Sequence, residues 1–342
     1  MRKKMPSINH NFIRIFVFGF SSFLCSYTGF AHADSIDVVR IAYLPNITHA
    51  QALVGLSNGS FKKTLGDKIR IEPTLFNAGP SIVEALFGNS IDLAYIGPNP
   101  ALNAFVKSKG TGVRIIAGAC SGGAKLIVRE GASITKTSDF HGKSIATPQF
   151  GNTQDIAARD WLVANGLNSL EKGGDVRILP LKNADQLPLF LQKQIDASWA
   201  PEPWASKLVH EAKGKVFLDE KFLWKGGQFS TTVLIVRPQF MKAHPELVRA
   251  WIKAHVEVTE WIRRNPSEAK TLINAQLEKL TGKGLSNLVL NDSFSSIEIT
   301  ANPLEASFEL VANAAFKQGF LGATKPDLSG IFDLHALHEF MK

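Results

Sequence analysis

The sequence predicts an α/β protein of two lobes, each a mostly parallel sheet flanked by helices. Three observations predict it. Short apolar strands alternate with helical stretches along most of the chain, as in strands joined by helical crossovers. That alternation runs twice, once before and once after about residue 125. The last third then becomes strongly helical, in amphipathic runs too long for linkers.

The first 33 residues are expected to stand outside the fold. Arg2, Lys3 and Lys4 precede an apolar run from Phe12 to Leu24 that carries only Arg14, and "AHA" at Ala31–Ala33 offers small residues to a peptidase. This is the layout of a secretory signal peptide cut after Ala33. A retained membrane anchor is the rival reading, but the run is short for a span. Cys25 suggests a lipid anchor, but bulky Leu24 stands where a small residue belongs. Losing the leader's four basic residues takes the formal charge from +8 to +4. That mild excess, without a basic stripe, gives no case for nucleic acid. Cys120 is then the single cysteine, so no internal disulfide is expected.

Ser35–Pro45 reads as the opening strand, followed by a short helix over His49–Asn58 and a second strand in "KIRIEPTLF". Turn, helix, strand, turn and helix follow from Ala78 to Gly110, and "VRIIAGAC" is the next strand. The second region repeats this grammar. A strand in "KSIATP" precedes a helix over Asn152–Asn165, and "DVRILP" is a strand before a helix over Ala184–Gln192. "IDASWA" and "KVFLD" are strands around a short helix over Pro203–Glu211. After "STTVLIVRP", Trp251, His255, Val258 and Ile262 recur every three to four residues and give one apolar helix face. The late helices are expected to pack back on the first lobe. The chain then crosses between lobes twice, near 122–127 and 228–233.

No G-x-S-x-G elbow, H-E-x-x-H or P-loop occurs. His49, His141, His210, His244 and His255 lack metal-ligand spacing, and His255 sits near an apolar helix face where a structural role suffices. Cys120 follows an apolar strand and reads as a buried thiol. No catalytic group, metal or cofactor is expected.

What recurs is a turn after a strand leading into a helix: "LPNITHA" from Leu44, "NAGPS" from Asn77, "IGPNP" from Ile96, "CSGG" from Cys120, "TPQFGNTQD" from Thr147 and "WAPEPW" from Trp199. In an open α/β sheet such ends converge on one rim, where ligands bind. Glycine admits close backbone approach, and helix-start N–H groups favour an anion without a formal charge. Each turn also has a plain reading. Asn152 and Thr153 suit a helix cap with Asp155 reciprocating, and Pro98 and Pro203 suit first-turn prolines. Ser81, Asn99, Thr153, Gln154 and, in the right tautomer, His49 can donate to oxygens. Trp199 and Trp204 can wall a cleft around Glu202, which either meets the ligand or ties the lobes together. Asp155 would repel an anion, so it is expected to bond back to its own turn.

The blocks "IAYLPNITHAQALVGLSNGSF", "AGPSIVEALFGNSIDLAYIGPNPAL", "DFHGKSIATPQFGNTQDIAARDWL", "NADQLPLFLQKQIDASWAPEPWASKLV" and "GGQFSTTVLIVRPQF" occur in this order. Together they resemble the periplasmic substrate-binding proteins of ABC importers, in the aliphatic sulfonate, taurine and nitrate-binding family. The resemblance runs from about Ile36 to the C-terminus. It implies the two-lobed periplasmic binding protein fold (type II) with a two-crossover hinge: lobe 1 over 34–125 and 229–342, lobe 2 over 126–228. It implies a monomeric periplasmic receptor, not an enzyme. Such a receptor takes a small oxyanionic organic solute, a sulfonate or taurine, to an ABC permease with a separate cytoplasmic ATPase. A sulfonate's three oxygens and organic tail would suit a cleft of polar turns and tryptophans. The pocket turns carried over are Asn46–His49, Gly79 to Ser81, Pro98–Asn99, Asn152–Gln154 and the segment Trp199 to Trp204, with Glu202. Alternatives are a receptor for nitrate or for a nitrogen heterocycle such as a pyrimidine vitamin precursor, and, in a different class, an exported sensor or enzyme.

Overall fold

A computed structural model of the chain describes residues 37–341. The expected leader and its cleavage after Ala33 lie outside those residues. The strands are β1 (Asp37–Tyr43), β2 (Ile69–Leu75), β3 (Leu93–Ile96), β4 (Arg114–Gly122), β5 (Ala124–Val128), β6 (Ser144–Thr147), β7 (Arg177–Pro180), β8 (Ala197–Pro201), β9 (Lys215–Asp219), β10 (Ser230–Val236) and β11 (Ile297–Ile299). They form two sheets, in the orders β11-β4-β10-β3-β1-β2 and β7-β6-β8-β5-β9.

Side-chain alternation sorts each strand between two apolar layers. In β1, Val39, Ile41 and Tyr43 enter one core of the first sheet, while Ala42 enters the other. In β10, Leu234 and Val236 divide from Val233 and Ile235 in the same way. Leu126 and Val128 of β5 divide from Ile127 across the second sheet. Both sheets are therefore covered on both faces, which is why their strands read as near-continuous apolar runs. Pro73 lies in β2, at the sheet edge, where its missing N–H breaks no ladder.

The sheets are mixed. β1 pairs parallel with β2 and β3, and β6 pairs parallel with β7 and β8, through helical crossovers. β10 runs antiparallel to β3 and β4, and β5 runs antiparallel to β8 and β9. The antiparallel strands are those that carry the chain between sheets. One crossover is the β4–β5 junction and the other runs from β9 to β10. Ala124 and Lys125 already belong to the second sheet, because β5 pairs with β8 from Ala124↔Pro201 onward.

"CSGG" is not a turn leading to a helix, which corrects the sequence reading. Cys120 and Ser121 remain in β4, paired on one side with β10 through Thr232↔Cys120 and Ser230↔Ser121 and on the other with β11, which periodicity did not reveal, through Ile299↔Cys120 and Glu298↔Ser121. The bend comes at Gly122 and Gly123, with φ of 76° and 74°. A Cβ on Gly123 would also overlap the Ile297 side chain. Gly122 N–H donates to Phe229 O at 3.3 Å, and Thr231 Oγ1 donates to Gly122 O at 2.5 Å. The two crossovers are thus stitched together.

The long helices Pro245–Arg264 and Pro266–Thr281 cover the first sheet, in the core that holds Val39, Ile41 and Tyr43. Trp251, His255, Val258 and Ile262 are all buried there, and Trp251 stacks on Phe61 with ring centroids 4.3 Å apart. His255 has a structural place. Its Nε2 contacts Gly118 O at 2.8 Å and its Nδ1 the Tyr95 hydroxyl at 2.9 Å, and burial lowers its pKa to about 4. Cys120 is a buried thiol whose pKa burial raises.

Gly123→Ala should destabilise the protein by about 1–3 kcal/mol, since the new side chain meets both a left-handed backbone and Ile297. Urea unfolding monitored by circular dichroism checks this. An unchanged midpoint would show that the junction tolerates a side chain.

Candidate functional site

Four helices begin at one place. Helices Gly79–Phe87, Pro98–Lys107, Thr153–Ala164 and Asn183–Leu191 start there, each after a strand. Their first residues or caps, Gly79, Gly97, Asn152, Thr153, Gln154 and Asn183, line a cavity of about 20 Å³. Leu44, Asn46, Thr48, His49, Pro148, Pro201, Thr231 and Thr232 complete it. That volume holds one or two water-sized groups. No charged side chain is in the lining. Each helix start brings unpaired N–H groups and roughly half a positive charge from its dipole.

The side chains act as neutral donors. Leu44 N–H donates to His49 Nδ1 at 3.3 Å. Burial lowers the pKa of His49 to about 3, so the ring is neutral and its proton sits on Nε2. Asn46, in the lining, accepts from Trp204 Nε1 through Oδ1 at 2.9 Å, which leaves its Nδ2 as a donor. That bond also joins a first-sheet turn to the helix that follows β8. Asn152 caps its helix by accepting from Thr153 N–H. Asp155 does bond back: Oδ1 accepts from Thr147 Oγ1 at 2.9 Å, and Oδ2 accepts from Gly151 N–H at 2.9 Å and Arg159 Nε at 3.0 Å. Its charge is thereby held off the cavity that its neighbours Thr153 and Gln154 line. Gly97 approaches Thr153 so closely that a Cβ there would overlap Thr153 Oγ1.

A second cavity, of about 370 Å³, shares Thr153 with the first. Asn99, Ser230, Ile156, Ala157, Trp161, Trp224, Phe229 and Val311 are among its walls. Asn99 Nδ2, Thr153 Oγ1 and Ser230 Oγ are buried there without a hydrogen-bond partner. Glu220 also lines it. Burial raises its carboxyl pKa to about 7, although Trp199 Nε1 donates to Oε2 at 2.7 Å.

Of the residues singled out in the sequence, Asn46, His49, Gly79, Asn152, Thr153 and Gln154 come together at the small cavity, and Asn99 lies in the larger one. Ser81, Pro98, Trp199, Glu202 and Trp204 line neither. Ser81 and Pro98 fall inside helical first turns beyond Gly79 and Gly97. Trp199 is sealed in the second-sheet core against Trp161. Trp204 stands behind Asn46. Glu202 is fully buried: Lys125 Nζ donates to Oε1 at 2.9 Å, and Ser206 N–H and Ser293 Oγ both donate to Oε2 at 3.1 Å.

A family model described as NMT1-like matches residues 34–276. The chain belongs to the NMT1-like family. Among curated relatives of this NMT1-like protein is the taurine-binding periplasmic protein of Escherichia coli (strain K12). It is 26% identical over 231 residues, spanning 67% of each chain. The alkanesulfonate-binding protein SsuA of Xanthomonas axonopodis pv. citri, solved bound to MOPS, superposes with a TM-score of 0.73. The two are 18% identical, over 87% of this chain and 98% of that one. The periplasmic nitrate-binding protein NrtA of Synechocystis PCC 6803 gives a TM-score of 0.69 at 14% identity, over 89% of this chain and 88% of that one. The fold is the two-lobed type II periplasmic-binding-protein architecture.

The sequence reading missed Asn183, Thr231 and Thr232 in the small cavity and Trp224, Phe229 and Ser230 in the large one. Asn183 had a signal, since "LKNAD" follows β7 and opens a helix as the other turns do. Thr231 and Thr232 were hidden in a strand, where polar residues at an apolar strand's start are commonplace.

Glu202→Gln should cost about 3–5 kcal/mol by leaving Lys125 buried without its counter-charge, and adding Lys125→Met should recover part of that loss. Thermal and denaturant unfolding of the single and double variants measures both. A single variant as stable as the parent would show that the pair is not a tie. The raised pKa of Glu220 means that the folded state prefers the protonated carboxyl, so ionisation opposes the fold as pH rises from about 4.5 to 7. Glu220→Gln should therefore be relatively more stable at pH 8 than at pH 5. The parent's tryptophan fluorescence should titrate near pH 7, and the variant's should not.

Proposed function

We propose that this chain is an exported periplasmic receptor that captures a small oxyanionic organic solute, a sulfonate or taurine, and hands it to an ABC permease driven by a separate cytoplasmic ATPase. The observation that carries the reading is the small cavity, where four helix starts meet and no charged side chain is present. Helix N-termini bind oxyanions through N–H groups and the dipole, without a formal counter-charge. His49 Nε2–H, Asn46 Nδ2 and the Thr153 hydroxyl add neutral donors. Such donors satisfy sulfonate oxygens and still permit release, which suits a carrier. The family membership, and the likeness to taurine- and alkanesulfonate-binding proteins, point the same way.

The mechanism is non-covalent. The two lobes, 34–123 with 229–342 and 124–228, act as jaws about the β4–β5 and β9–β10 crossovers. The solute engages the first-lobe starts at Gly79 and Gly97, and closure adds Asn152, Thr153, Gln154 and Asn183 from the second. Closure expels water, strengthens each hydrogen bond and shifts the population toward the form that a permease reads. The Trp204–Asn46 bond across the lobes helps to hold that form. Glu202, whose oxygens are engaged by Lys125, Ser206 and Ser293, offers no support to a cationic heterocycle.

Titration calorimetry with taurine, alkanesulfonates and nitrate tests the reading. A sulfonate or taurine should bind, and Thr153→Val should weaken it by about tenfold, as expected for a lost hydrogen bond to a charged ligand. Binding of a cationic or neutral solute with no response to any oxyanion would overturn it.

A further inference from the structure

We propose that the solute of this chain is a sulfonate with a bulky aromatic tail, and that the 370 Å³ cavity is the subsite for that tail; this rests on the oxyanion reading above. The small cavity is head-group sized and cannot hold an organic solute whole. Thr153 is common to the walls of both cavities, so a tail that passes this side chain from the head site enters the larger one.

The larger cavity holds unsatisfied polar groups, one of them, Thr153, at the shared wall. Asn99, Thr153 and Ser230 are 3%, 5% and 2% exposed, and Asn99 Nδ2, Thr153 Oγ1 and Ser230 Oγ lack partners. Buried polar atoms left unpaired are costly, and three in the lining of one cavity point to a ligand that pairs with them. All three groups can donate a hydrogen bond, and the two hydroxyls can also accept one, so acceptor oxygens are fitting partners. The rest of the wall is mixed: Asp160, Asn165 and Asn313 are polar, and the remainder is largely aliphatic and aromatic. Trp224 and Phe229 stack face to face at 5.1 Å, and Trp161 adds a third aromatic side chain. The buried acidic group of the wall, Glu220, already accepts from Trp199 Nε1. Exposed Leu223, Leu310 and Lys317 mark the mouth. A two-carbon tail such as that of taurine leaves this space empty, whereas an aryl ring fills it and buries apolar area against aromatic faces.

Calorimetry of the purified protein with ethanesulfonate, taurine, benzenesulfonate and naphthalene-2-sulfonate tests the inference. The aryl sulfonates should bind at least about tenfold tighter than ethanesulfonate, from the added apolar burial. Ala314→Trp, which fills the cavity from its wall, should collapse that preference to about twofold or less. Ala314→Leu, a smaller intrusion, should reduce it in part and serves if the tryptophan variant does not fold. Short sulfonates binding as tightly as aryl ones would overturn the tail subsite and leave the oxyanion reading standing. An aryl preference untouched by either folded variant would also overturn it. If no sulfonate of any length binds, the oxyanion reading fails, and the tail inference with it.

Discussion

The buried ion pair between Lys125 and Glu202 ties together the parts that shape the site. Lys125 stands two residues beyond the Gly123 bend, and Glu202 N–H donates to Gly123 O at 2.8 Å. Ser293 and Ser296 reach the pair from the first lobe's helical cover, Ser293 to Glu202 at 3.1 Å and Ser296 to Lys125 at 2.6 Å. A pair that far from water must be closely matched, because the desolvation cost of each charge is offset only by its partner and added hydrogen bonds. That requirement sets where β5, the end of β8 and the late helices stand relative to one another. Trp204, two residues after Glu202, is thereby delivered to Asn46 on the opposite rim.

The same economy of charge governs the cavities. The acids nearest the small cavity are spent elsewhere: Asp155 on Thr147, Gly151 and Arg159, and Glu202 on Lys125. His49 is kept neutral by burial, with its Nδ1 occupied by Leu44 N–H. What remains to set the local field is the backbone at four helix ends. Fixed dipoles of this kind need little reorganisation when a charge arrives, and they do not bind it so tightly that release is slow. The larger cavity shows the complementary pattern, with unpaired donors and aromatic side chains in its walls.

Much of the architecture was legible in the chain. β1, β2, β7 and the helix Pro245–Arg264 declared themselves because burial on a sheet or helix face imposes a local period, and Trp251, His255, Val258 and Ile262 display that period directly. The strand-to-helix turns were legible for the same local reason, since glycine, proline and small polar residues punctuate them. Where no period exists, the reading failed. β11 is three residues long, and the extension of β4 through "CSG" rests on pairing with it and with β10, both distant in sequence.

By itself, then, the sequence determined the alternation of strands and helices, the rim turns and the apolar layers, all of which follow from interactions within a few residues. Only the tertiary structure decided which polar groups face a cavity and which are consumed. Glu202 could as well have met a ligand as tied segments together, and Lys125, 77 residues earlier, and Ser293, 91 residues later, are the partners that engage it. Trp199 looked like a cleft wall until it was found packed on Trp161 and bonded to Glu220. Thr231 and Thr232 looked like strand filler until the fold set them beside four helix starts. A side chain's type is local, but its partner is chosen by packing across distant segments, and a buried polar group takes whichever partner the fold brings within reach.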